Sequence, residues 1–107
     1  MSADGKALIL NEAHLARQTM GDAELQREIL SLFVAEAERL LRQVHEAKDP
    51  VKRAERVHAL KGLARNVGAE RLALAASDAQ AEAARPEGDL SDLGMAVEEV
   101  IAHLLGR

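Results

Sequence analysis

Apolar residues return at helical spacing from Leu25 through Ile29, Leu32, Phe33 and Leu40 to Val44. A stripe that recurs every three to four residues serves one side of a helix, whereas a half-buried strand needs alternation at every second residue. No segment of the chain shows convincing alternation of that second kind. The long helix is bracketed by start and stop chemistry. Gly21-Asp22 breaks the chain before it, with Asp22 as N-cap, and the helix runs to about Ala47. Asp49-Pro50 restarts the chain, with Asp as cap and Pro at the first helical position. That next helix stops near Gly68, whose lack of a Cβ suits a helix end. Asn11 to about Thr19 reads as a short helix capped by Asn11. Residues 69 to 84 form an Ala-rich helix with Leu72, Ala76, Ala79 and Ala83 on one stripe, ended by Pro86-Glu87-Gly88-Asp89. A last helix runs from about Ser91 to Leu105. Short connections between long helices favour antiparallel neighbours. The expected fold is all-α, an up-down antiparallel four-helix bundle with a short extra N-terminal helix capping one end. Residues 1–10 are expected to be flexible, ahead of a single domain over 11–107.

Composition narrows the function. The 107 residues suffice for one domain with one core, and 48% apolar with 30% charged is a globular balance. There is no Cys, which excludes disulfides, thiolate catalysis and cysteine-ligated metals. Phe33 is the only aromatic, too few for reading bases by stacking, so no nucleic-acid partner is expected. No signal peptide and no apolar span of about 20 residues is seen, so no membrane partner and a cytoplasmic location are expected. The initiating Met and natural-looking ends favour a free-standing protein over an excised module.

Charge is unevenly spread. Between residues 50 and 67 five cations, Lys52, Arg53, Arg56, Lys61 and Arg65, stand against Glu55 alone. That stretch carries +4 in a chain of net −4, leaving −8 for the rest. A basic helix on an acidic body is suited to steering an acidic partner surface.

The segment His58-Ala59-Leu60-Lys61-Gly62 lies in that helix. With Val57 set at zero and roughly 100° per residue, Leu60, Leu63, Ala64 and Val67 centre near 290°. His58 falls at roughly 100°, Arg65 near 80°, Lys61 near 40° and Gly62 near 140°. His58 is therefore predicted to face solvent, flanked by two cations and a residue without a side chain. Most exposed histidines do nothing in particular. Gly62, however, costs about 1 kcal/mol against Ala in a helix interior, and close approach by another molecule is the natural compensation.

With the helices laid out, the chain resembles the histidine-containing phosphotransfer (HPt) domains of bacterial phosphorelays. The resemblance covers roughly residues 21 to 85. It rests on Gly21-Asp22, the Leu32-Phe33 pair, Ala54, His58, Leu60-Lys61-Gly62, Gly68-Ala69 and Leu72. It implies that His58 accepts a phosphoryl group, that Lys61 balances its charge and that Gly62 leaves room for the partner's active site. Phe33 and Leu60 would be core supports. Family members often carry Leu-Glu or a similar pair around Ala79-Gln80, and this departure bears on how the fourth helix packs.

The chemistry is self-consistent. Histidine is a competent covalent nucleophile, and as a residue type its pKa of roughly 6.5 leaves much of it neutral at cellular pH. Phosphoryl transfer is mainly positioning and charge stabilisation. Lys61 is a flexible point charge suited to a phosphoryl oxygen, and Arg65, one turn on, is a possible auxiliary cation. The sequence has no Gly-rich phosphate loop and no kinase lysine-strand pattern, so the chain is expected to be a phosphocarrier that does not use ATP by itself. No acidic cluster near His58 would hold Mg²⁺, so no cofactor is expected in this chain and the metal would come with the partner. The resemblance names the partner as a response-regulator receiver domain, and a hybrid histidine kinase is the further partner expected for a chain expected to be a monomer. His14, His45 and His103 lack the i, i+3 or i, i+4 spacing of a helical metal site, with one another or with His58. Glu98-Glu99 diverge on a helix and are expected to be solvated.

Two other readings stay open at this stage. A docking or scaffold bundle would bind signalling partners without accepting phosphate. A homodimer would pair through the Ala-rich face.

Overall fold

The computed structural model describes residues 6–107, and the expectation for residues 1–5 falls outside them. Five helices follow in order: α1 (Glu12–Thr19), α2 (Ala23–Glu46), α3 (Pro50–Val67), α4 (Glu70–Ala83) and α5 (Ser91–Leu105). There is no strand among the described residues. The expected four-helix core with a short N-terminal helix is what forms.

The helix starts follow the capping residues. The Asn11 side chain accepts from the His14 amide at 3.0 Å. Asp22 accepts from the amides of Glu24 and Leu25 at 3.0 and 3.1 Å. Asp49 accepts from the Val51 amide at 2.9 Å, with Pro50 in the first turn. Each such cap is worth about 1 kcal/mol. Gly68 ends α3 at φ 87°, the left-handed region where a side chain is strained. A Cβ there would also crowd the Asn11 carbonyl oxygen at 3.2 Å and the His14 ring at 3.1 Å.

α4 lacks caps of its own and borrows them. No side chain caps its N-terminus. Instead Leu8 O accepts from the Arg71 amide at 3.0 Å, and Asn11 N donates to Gly68 O at 2.8 Å. Glu70 returns the favour by accepting from the Leu8 amide at 3.0 Å and from Asn11 Nδ2 at 2.8 Å. These bonds hold residues 8–11 as a strap against the α3–α4 turn, and Leu10 is buried there. The loose segment expected over residues 1–10 is thus tied down from Leu8 onward, because α4's first amides need acceptors. At the other end, Arg53 of α3 donates through Nε to Ala83 O at 2.9 Å and through a terminal nitrogen to Arg85 O.

The main core joins Phe33, Ala37, Leu40 and Val44 of α2, Val57, Leu60, Ala64 and Val67 of α3, the Ala-rich stripe of α4, and Leu93, Val97 and Val100 of α5. A smaller cluster of Leu10, Leu15 and Leu30 seals the end that α1 covers. Phe33 and Leu60 are fully enclosed, as core supports should be. Leu32 is 70% exposed and Leu25 lies near the surface. Leu32 stands roughly 100° around α2 from Phe33, too far to share its buried side. α3 and α4 form the most extensive helix pair. The alanines at 76, 79 and 83 are all buried, so small side chains bring α4 close to its neighbours. Ala79 fits this stripe, which answers the packing question raised by the departure at 79–80.

Candidate functional site

Val57, Leu60, Ala64 and Val67 turn inward along α3, and that fixes what points out. His58, Gly62 and Arg65 are exposed, and Lys61 is half-buried. The four residues singled out from the sequence therefore lie together on one outward strip of α3. A Cβ built on Gly62 meets nothing within 4 Å. The missing side chain there makes room for no atom of the described residues.

The strip forms one wall of a seam, and α4 forms the other. Gln80 of α4 reaches across to both polar groups of α3. Its Oε1 accepts from the Lys61 ammonium at 3.4 Å. Its Nε2 lies 3.2 Å from His58 Nδ1. One carboxamide thus spans the cation and the imidazole, and it fixes the ring by the nitrogen nearest the helix. His58 Nε2 has no hydrogen-bond partner among the described residues. Gln80 is the site residue that sequence reasoning missed. From the sequence it reads as a packing position, because its reach to His58 depends on which side of α4 meets α3.

The seam continues past Lys61 into a shallow groove rimmed by Arg65 and Lys6, with Ala73 and Leu74 below and Ser77 beside them. Arg65 has no ion-pair partner among the described residues. The only acid of this groove, Glu70, is occupied by the strap. Hydrogen bonds from Asn11 and then from the Leu8 amide hold its carboxyl below the usual carboxylate range, with slight desolvation working the other way. The remaining cations of α3 do not join the seam. Arg53 caps α4, while Lys52 and Arg56 lie roughly 120° and 160° around the helix from His58.

A family model for the Hpt domain matches residues 28–106. This chain belongs to the Hpt domain family. The match runs on through α5, beyond the stretch to residue 85 that carried the resemblance in the sequence. No curated protein and no solved structure matches the chain. As an Hpt domain the protein is a phosphorelay carrier that transfers phosphoryl groups between receiver domains, and not an ATP-using enzyme. Hpt domains as a class engage receiver domains and kinases. Among the described residues no group of three His, Asp or Glu stands close enough to hold a metal ion, and no helix is long and apolar enough to cross a membrane.

Proposed function

We propose that His58 is the residue that carries the phosphoryl group, accepting it from a receiver-domain aspartate and passing it to another receiver. The observation that carries this reading is that, of three exposed imidazoles, His45, His58 and His103, His58 is the one tethered at Nδ1, by Gln80, with Nε2 unengaged among the described residues. In the transfer, Nε2 donates its lone pair to phosphorus as the bond from phosphorus to the aspartate oxygen breaks. Onward transfer is the reverse, with a second carboxylate attacking phosphorus.

The roles of the neighbours follow from charge and space. Lys61 supplies a point charge to the phosphoryl oxygens, and its flexible stem lets it leave Gln80 and follow them. Gly62 lets the donor carboxylate and the loops around it approach within bonding distance. Arg65 extends the positive field along the seam and favours encounter with an acidic pocket. No group in the seam would hold Mg²⁺, so the metal that assists transfer arrives on the receiver. The working unit is a cytoplasmic monomer that alternates between a hybrid histidine kinase's receiver and a separate response regulator.

The test is a transfer assay from a phosphorylated receiver. Wild-type protein gains label that is acid-labile and base-stable. His58→Gln keeps its helical spectrum and gains none. Label on the His58→Gln protein would end the proposal, and binding without label on the wild type would favour a docking bundle.

A further inference from the structure

The bridge that Gln80 makes has a consequence for the ring it touches. With Oε1 turned to the Lys61 ammonium at 3.4 Å, the carboxamide presents its N–H to His58 Nδ1 at 3.2 Å. An ammonium can only donate and a carboxamide nitrogen can only donate. Lys61 therefore selects one orientation of the amide, and that orientation makes Nδ1 an acceptor. A neutral imidazole whose Nδ1 accepts carries its proton on Nε2. Nε2 is then capped by hydrogen and has no lone pair for phosphorus. Nδ1 keeps a lone pair, but Gln80 covers it.

We propose that Gln80 is a latch: its carboxamide must turn over for His58 to become nucleophilic, and the turn releases Lys61 in the same movement. After the turn, Oε1 accepts from Nδ1–H. The proton leaves Nε2 to solvent and Nδ1 gains one from solvent, so the ring stays neutral and Nε2 acquires its lone pair. The amide N–H now faces Lys61 and repels the ammonium, which moves to the incoming phosphoryl oxygens. The Nε2–phosphorus bond forms as the acyl phosphate bond breaks and the carboxylate departs. The proton stays on Nδ1 against Oε1. When phosphorus moves to the next carboxylate, the N–P electron pair returns to Nε2 and the ring leaves as neutral imidazole. Each passage begins and ends with the same proton count. Gln80 touches neither phosphorus nor partner in this scheme and is a positioning residue.

The inference rests on His58 being the acceptor, and its test is separable from that reading. Long-range ¹H–¹⁵N spectra of the full chain, at a pH where imidazoles are neutral, distinguish the two tautomers of each histidine, and His58→Gln assigns the signals. The wild-type ring is expected as the Nε2–H form. Gln80→Glu offers only acceptor oxygens, holds Lys61 with one and Nδ1–H with the other, and is expected to shift His58 to the Nδ1–H form. Lys61→Ala frees the amide to turn and is expected to raise the Nδ1–H share over wild type. A wild-type ring found as Nδ1–H would overturn the latch. So would an unchanged tautomer in both variants. Absence of label on wild-type protein would instead break the carrier reading, whatever tautomer the ring shows.

Discussion

α4 has two long sides that meet neighbours, and they could hardly differ more in charge. Toward α3 it offers Ala73, Ser77 and Gln80 to a wall bearing His58, Lys61 and Arg65, and its one acid there, Glu70, is spent on the strap. Toward α5 it offers Asp78 and Glu82, which with Asp89 and Asp92 line an acidic groove relieved only by Arg71. Arg71 is itself paired with Glu99 at 3.1 Å. Asp89 is further committed, since the hydroxyl and amide of Ser91 both donate to its carboxyl and hold it below the usual range. The whole chain is acidic, yet beside the imidazole the cations Lys61 and Arg65 outnumber the one acid a turn back, Glu55. Net charge therefore says little about what docks here. The segregation of acids to one flank of α4 says much more, because fields near a surface are set by the nearest groups.

The sharpest way to break this contrast is steric. Gly62 on the seam and Gly94 on α5 both have open space where a Cβ would stand. Gly62→Leu should lower the transfer rate roughly 100-fold by holding the reacting atoms apart, with melting temperature undiminished. Gly94→Ala should gain about 1 kcal/mol of stability through helix propensity and leave transfer unchanged. Urea unfolding and receiver-transfer kinetics on the two proteins decide it, and equal effects on transfer would remove the seam's special status.

Charge reversal comes next. Arg65→Glu should slow second-order transfer at low salt by roughly 10-fold through lost steering, and flatten its dependence on ionic strength. Asp78→Lys in the opposite groove should change the rate by less than about two-fold, as expected for a charge screened from the encounter. A larger effect at Asp78 would place the partner on the wrong side of α4.

The smallest effect concerns the strap beneath the seam. The Glu70 carboxyl is held below its ordinary value, so the stability it contributes is fully present above about pH 4.3. That contribution is lost as pH falls through the lower, folded-state value. Amide protection at Leu8 and Asn11, taken relative to the intrinsic exchange rate at each pH, should fall in that acid window for the wild type. It should be low at every pH in Glu70→Ala. Identical profiles for the two proteins would show that the strap does not depend on Glu70.

Much of this was legible in the chain. Asn11, Asp22, Asp49-Pro50 and Gly68 announced four helix ends because caps and left-handed turns are local chemistry. The exposure of His58 followed from the angular position of Val57, Leu60, Ala64 and Val67. Two features were hidden for the same reason. Gln80 stands roughly 70° from the centre of the α4 stripe, which places it on a flank without saying which neighbour lies there. Leu8 to Leu10 hold no periodicity, and their docking depends on orphan amides of α4 some sixty residues away. Both needed the tertiary arrangement. Leu32 marks the opposite failure, an apolar residue counted into a stripe whose geometry leaves it exposed.

The most direct measurement is the location of the phosphoryl group itself. After incubation with a phosphorylated receiver, the protein is digested and mapped by mass spectrometry at neutral to alkaline pH, and its phosphorus spectrum is recorded. The account predicts one modified peptide, containing His58, with phosphorus bonded to Nε2. Phosphate on His14, His45 or His103, or bonded to Nδ1 of His58, would contradict it.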